Sequence, residues 1–212
     1  MPGIPPGVAA DPHEVVTSSN RVDGAKAVFL DRDGVINENV FYEDSGEWEA
    51  PRRAGDYQPI KSAFAAMRQL EAGGLLLFIV SNQPNQAKEK ATRADHDSIH
   101  AGLSELLRSE GVTIQEAFYC FHHPNGSVAG LSGPCECRKP SPYFLTQAAK
   151  RWSIDLSKSW MVGDRDTDID CGVNAGTRTI RIGPVARDCA DFHAENLADA
   201  ARIILGPGQG PQ

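Results

Sequence analysis

The residues able to do chemistry in this 212-residue chain cluster in a few short stretches. In AVFLDRDGVIN, Ala27 to Asn37, two carboxylates, Asp31 and Asp33, directly follow an apolar run. The run LLLFIV ends in Ser81-Asn82, WMVG ends in Asp164, Arg165, Asp166 and Asp168, and Arg138-Lys139 lies between them. Singly, these are turn dipeptides and solvated charges. On loops gathered at one sheet edge, they make a set suited to phosphoryl transfer through a covalent intermediate. A carboxylate such as Asp31 can attack phosphorus to give an acyl phosphate, which water then hydrolyses. Its charge repels the phosphate, so a divalent cation must bridge the two, and Asp31 and Asp164 are hard oxygen ligands for Mg2+. Asp33, two residues on, can protonate the leaving alkoxide and deprotonate the water. Ser81 and Lys139 would supply a hydrogen bond and positive charge to the transferring oxygens.

Strands must hold these residues at a common edge, and the hydrophobic pattern offers them. Ala27–Leu30 reads as a strand, as does Leu75–Val80, a continuous run suited to a sheet covered on both faces. Ala117–Cys120, Trp160–Val162 and Thr179–Ile182 are further short runs. Helical patterns fall between them. Ile60–Ala72 stops at Gly73-Gly74, and a helix carrying Ile99, Leu103, Leu106 and Leu107 opens on a Thr92/Asp95 capping box and stops near Gly111. Ser141-Pro142 reads as N-cap and first helical residue for Tyr143–Arg151, and a last helix covers about Glu195–Leu205. This alternation predicts an α/β fold, with three layers around a Rossmann-like parallel sheet and ligands at the carboxyl ends of its strands. Residues 26–206 are expected to form a single domain. The Pro-, Gly- and Ser-rich residues 1–25 read as a flexible lead-in and 207–212 as a flexible tail.

Composition narrows the function. With 41% hydrophobic and 23% charged residues, the chain has the balance of a soluble globular protein. A formal net charge of −7 argues against a broad nucleic-acid surface, and an anionic substrate would need local cations or a metal. No apolar segment approaches the roughly 20 residues of a membrane span, and MPGIPPGVAADPHEVV lacks the pattern of a secretory signal. The expected setting is a reducing cytoplasm and the expected partner a small soluble metabolite, with a monomer as the default.

The segment YCFHHPNGSVAGLSGPCECRKP holds Cys120-x-His122, twelve residues, then Cys135-x-Cys137. Three thiolates and an imidazole fill a tetrahedral zinc sphere and leave no position for water, which marks a structural site. His123 is the alternative imidazole, but Cys-x-His fits a tight knuckle better. Cys171 and Cys189 have no such company and read as structural. Because Cys137 directly precedes Arg138-Lys139, a zinc bound in loop 120–137 would anchor those cations. A calcium loop at DRDTDID fails, since Ile169 stands where Gly is needed and Ala175 where Glu is needed.

These stretches resemble the haloacid dehalogenase (HAD) superfamily of phosphatases. DRDGV is similar to its first motif, Ser81 to its second, Lys139 to its third and GDRDTD, Gly163–Asp168, to its fourth, in order and from Ala27 to about Ile182. The resemblance implies Asp31 as nucleophile and Asp33 as general acid/base. It also implies Mg2+ on Asp31, the Asp33 carbonyl and Asp164, with Asp168 orienting Lys139 or a metal-bound water. The zinc loop ending in CxCRKP resembles two groups, the D-glycero-D-manno-heptose-1,7-bisphosphate 7-phosphatases and the histidinol-phosphate phosphatases. HHPxGSV, the twelve-residue spacing and GDxxxD favour the heptose group.

That likeness implies a sugar-phosphate substrate, probed by Asn39 and Tyr42 in a first loop and by Asn82 and Gln83 in a second. Arg138 would meet the second phosphate or sugar, and Arg165 would also touch substrate. It further implies a minimal cap and an open site. Two stretches depart from the heptose pattern. SNQPNQAKEK replaces the usual Thr-Asn-Gln-Ser-Gly and its downstream Arg-Gly, and EDSGEWEAPRRAGD, Glu43–Asp56, adds length. Trp48, Arg52 and Arg53 in that added stretch either lie over the site or form a solvated loop, and the solvated loop is the favoured reading because loops vary most.

Overall fold

A computed structural model describes residues 8–10, 24–184 and 189–206. Most of the lead-in and all of the 207–212 tail lie outside them. The main sheet is built from β1 (Val8–Ala10), β2 (Ala27–Leu30), β5 (Leu76–Asn82), β6 (Glu116–Cys120), β7 (Trp160–Gly163), β8 (Arg178–Ile182) and β9 (Phe192–Ala194). Between β2 and β5, β3 (Val40–Tyr42) and β4 (Glu47–Glu49) pair separately as an antiparallel hairpin. The helices are α1 (Lys61–Ala72), α2 (Arg93–Ser109), α3 (Tyr143–Trp152), α4 (Asp166–Ala175) and α5 (Leu197–Leu205).

The sheet order is β1-β6-β5-β2-β7-β8-β9, parallel except for the antiparallel edge strand β1. Its strands alternate their side chains between two apolar layers. Val28, Leu30, Leu77 and Ile79 pack with Phe64, Met67 and Leu70 of α1, Leu103 of α2 and Ala200 of α5. Ala27, Phe29, Phe78 and Val80 face the other way, onto Phe144 and Leu145 of α3 and Cys171 of α4. The three-layer α/β expectation is met, and burial on both faces explains why LLLFIV shows no polar alternation.

Register delivers the site. Leu30 of β2 pairs with Ile79 of β5 and with Val162 of β7, so Asp31, Ser81 and Asp164 leave the sheet close together. Asn82 pairs with Cys120, which places the start of the cysteine-histidine loop at the same edge. Some elements differ from the pattern reading. β5 runs on through Ser81 and Asn82, because they continue to pair with Tyr119 and Cys120 of the buried strand β6. Pro142 stays outside α3, and Ser141 Oγ accepts from the Tyr143 N–H at 3.3 Å. α5 starts two residues later than expected, behind Asn196, whose side chain accepts from the Asp199 N–H. Among the described residues, no helix is long and apolar enough to cross a membrane.

Candidate active site

Lys139 is the centre of the carboxylate cluster. Only 2% exposed, its ammonium lies 2.9 Å from Asp31 Oδ1 and 2.7 Å from Asp168 Oδ1, and it donates to the Val80 carbonyl at 2.6 Å. Burial opposes its charge, but Asp168 and Asp31 outweigh burial and hold its pKa above the ordinary value. Its backbone is fixed by a reciprocal pair: Lys139 N–H donates to Asn82 Oδ1, and Asn82 Nδ2 donates to the Lys139 carbonyl, both at 3.1 Å. Asn82 thus positions Lys139 as well as lining the pocket.

Oxygens of Asp31, Asp164 and Asp168 lie within 4.8 Å of one another. Burial first, and then the facing Asp31 and Asp168 carboxylates, push Asp164 up to about 7. Asp164 Oδ1 is buried with no hydrogen-bond partner. Crowded carboxylates with an orphaned oxygen fit a hard divalent cation such as Mg2+. Two glycines allow the crowding. A Cβ on Gly34, at φ +82°, would stand 2.2 Å from Asp164 Oδ2, and one on Gly163 would stand 2.2 Å from Asp168 Cβ. Asn39 Nδ2 donates to Asp164 Oδ2 at 3.2 Å, so it touches the carboxylate cluster directly.

Asp33 sits in a separate cage that the sequence reading missed. Arg32 Nε and Nη2 both bond Asp33 Oδ1, at 3.1 and 2.9 Å, and Asn37 Nδ2 donates to the same oxygen at 3.0 Å. Gln83 Nε2 donates to Asp33 Oδ2 at 2.6 Å and to Ser81 Oγ at 3.0 Å, while its carbonyl oxygen accepts from Arg32 at 2.9 Å. Gln83 therefore serves both Asp33 and the Ser81 hydroxyl through its side chain. Arg32 is fully buried, although an arginine between two acids at a turn reads as solvated. The sequence signal available was its place inside DRDG, directly behind a buried strand.

The cysteine-histidine loop closes at this edge too. Cys137 Sγ lies 3.3 Å from Cys120 Sγ, 3.7 Å from Cys135 Sγ and 3.5 Å from His122 Nδ1. His123 is not in this cluster, and its Nδ1 accepts from the Asn125 N–H. The hydrogen bond from Cys137 draws the Cys120 thiol down to about 5 against the opposing effect of burial. Four converging soft donors, one of them primed to ionise, fit zinc with no position left for water.

The rim differs most from expectation. The added stretch is not a solvated loop, because it contains β4, and Glu47, Trp48, Glu49 and Ala50 line the same pocket as Asp31 and Lys139. The reason is a set of ion pairs that pattern reading does not see. Arg52 bonds Asp44 at 2.7 Å and Glu49 at 3.1 Å and stacks 3.9 Å over the Tyr42 ring, and Lys90 pairs with Glu49. Arg53 stays exposed. The Tyr42 hydroxyl is committed to Asp56 at 2.7 Å and to the Arg52 N–H at 2.8 Å, so it braces the hairpin. Burial and the Asp56 bond push it up to about 12. Arg138 donates to the His122 carbonyl at 3.1 Å and is not among the pocket-lining residues, whereas Arg165 and Lys88 are. Lys88 was also missed, because a lysine in AKEK reads as a solvated charge.

A parallel sheet with aspartates leaving β2 and β7 and a lysine buried between them is the active-site frame of a HAD-type phosphatase. A HAD-hydrolase-like family model matches residues 136–184. Over 185 residues the chain is 35% identical to the D-glycero-beta-D-manno-heptose-1,7-bisphosphate 7-phosphatase of Escherichia coli K12, covering 84% of this chain and 93% of that protein. Its identity to the D-glycero-alpha-D-manno-heptose-1,7-bisphosphate 7-phosphatase of Photorhabdus laumondii is 35% over 151 residues, covering 71% and 78%. The fold matches a D,D-heptose 1,7-bisphosphate phosphatase from B. bronchiseptica, solved with magnesium and phosphate. That match has a TM-score of 0.70 at 23% identity and covers 85% of this chain and 98% of that one. The chain belongs to the HAD phosphatase family of these heptose-bisphosphate phosphatases, and it is a phosphoric monoester hydrolase.

Proposed function

We propose that the protein removes the 7-phosphate from a D-glycero-D-manno-heptose 1,7-bisphosphate through an aspartyl-phosphate intermediate. The observation carrying this reading is the Asp31–Lys139–Asp168 cluster beside Asp164, in a chain 35% identical to a protein named for that reaction. Asp31 attacks phosphorus, and Lys139 and the Ser81 hydroxyl stabilise charge on the non-bridging oxygens. Asp33 gives its proton to the departing sugar oxygen and then takes one from the attacking water, restoring the Asp31 carboxylate. Asp31, the Asp33 carbonyl and Asp164 would hold Mg2+, which would supply the charge that lets a carboxylate approach a phosphate. Cys120, His122, Cys135 and Cys137 would hold Zn2+, which would give structural support two residues from Lys139. Arg165 and Lys88 offer cations to the second phosphate, and Arg138 stands behind them on the zinc loop.

The test is phosphate release from the heptose bisphosphate, other sugar bisphosphates and histidinol phosphate, compared by kcat/KM. A preference for histidinol phosphate over every bisphosphate would overturn the substrate. Asp31→Asn should keep the fold and zinc content and lower kcat by roughly 10⁴-fold or more. Retained turnover in that variant would overturn the nucleophile.

A further inference from the structure

One wall of the pocket offers a chemistry that phosphoryl transfer does not use. Trp48 lines the pocket with Asp31, Lys139 and Arg165, yet it is 66% exposed. Its cross-strand partner Phe41, itself 47% exposed, packs against it with ring centroids 5.6 Å apart. Large rings left in water beside a polar cleft forgo the stabilisation of core burial, and such patches mark contact surfaces. The hairpin is also held firmly. Besides the Arg52 and Lys90 ion pairs to Glu49, Asn85 Nδ2 donates to the Ala50 carbonyl at 3.1 Å. Asn85 and Lys90 belong to SNQPNQAKEK, so the two stretches that depart from the heptose pattern brace each other.

From this geometry we infer that Trp48 is a specificity-determining platform for the sugar. The inference rests on the reading of the site as a sugar-phosphate phosphatase and adds what recognises the sugar. The C–H face of a cyclic sugar packs on the indole, with Phe41 behind it, while the exposed Glu47 at the same wall accepts hydrogen bonds from ring hydroxyls. A rigid ring costs little conformational entropy on binding, and its bracing fixes the orientation. The Glu47 carboxylate at this wall suits hydroxyl donors and disfavours phosphate, which directs both phosphates toward the cations elsewhere in the pocket.

The experiment uses the full chain with Mg2+ and compares kcat/KM for the heptose 1,7-bisphosphate and for acetyl phosphate, which has no ring. The ratio of the two should fall about tenfold in Trp48→Ala, through KM, and stay within about twofold in Trp48→Phe. An unchanged ratio in Trp48→Ala overturns the platform. So does a larger loss on histidinol phosphate than on the heptose bisphosphate, since the indole would then serve a different ring. If the unmodified protein turns over acetyl phosphate but no sugar phosphate, the functional reading fails first and takes the platform with it.

Discussion

Asp33 receives hydrogen bonds from three side chains at once, and the one that matters most for its orientation is Arg32, a guanidinium with no exposed surface. Arg32 Nε and Nη2 converge on Oδ1 while Nη2 also bonds Oδ2 at 3.1 Å, which fixes the carboxylate plane in a way a single donor cannot. A methionine at position 32 would fill much of the volume but leave Asp33 with only Asn37 and Gln83. Arg32→Met is therefore expected to lower kcat by roughly 10²-fold with a small change in KM, because general acid–base chemistry depends on aim. Arg32→Lys should recover part of the loss. A KM effect with normal kcat would show that Arg32 serves binding instead. Sequence reading placed Asp31 and Asp33 correctly at a strand end, yet it could not see the cage. Arg32 and Asn37 reach Asp33 from one and four residues away, but Gln83, 50 residues on, joins them only after β2 and β5 pair.

At the scale of elements, the cysteine-histidine loop joins the end of β6 to the segment that ends in Lys139. Cys120 and His122 from one half meet Cys135 and Cys137 from the other, so a metal there would cross-link the two. Cys135→Ser should lower zinc content and thermal midpoint, and with Mg2+ saturating it should cut kcat/KM by about tenfold, since Lys139 follows Cys137 by two residues. Metal analysis and thermal unfolding check this, and a variant with normal zinc content and melting would exclude Cys135 as a ligand. The Cys-x-His and Cys-x-Cys spacings were legible because ligand chemistry fixes residue type and separation. The β3–β4 hairpin was not legible. Its strands are three residues long, and charged and aromatic side chains that pair only in three dimensions hold it in place.

For the whole molecule, His96 couples stability to pH. It packs edge-on to the rings of Tyr119 and Phe121, at 4.5 and 4.7 Å, beneath the Arg32 cage. Burial, then the Arg32 and His100 charges, push it down to about 3 against the pull of Asp97. The folded protein thus keeps His96 neutral where the unfolded chain takes up a proton. Its contribution is full above the unfolded value near 6.5 and is lost as pH falls from there toward 3, at up to about 1.4 kcal/mol per pH unit. His96→Phe should flatten the decline in unfolding free energy between about pH 6 and about pH 4, and an unchanged slope would reject the assignment. By itself, the sequence determined the α/β class, the strands at whose ends Asp31, Ser81 and Asp164 stand, and the residue types that gather at that edge. Those follow from local periodicity and from chemistry that tolerates few substitutes. Only the tertiary structure decided that Arg32 and Gln83 cage Asp33, that Tyr42 braces the rim, and that Trp48 stands at the pocket. The Gln83 bonds to Asp33 and Arg32 span 50 and 51 residues, the Tyr42 bonds span 10 and 14, and Trp48 reaches the pocket beside the distant Lys139, so these contacts form only when the sheet and the hairpin close.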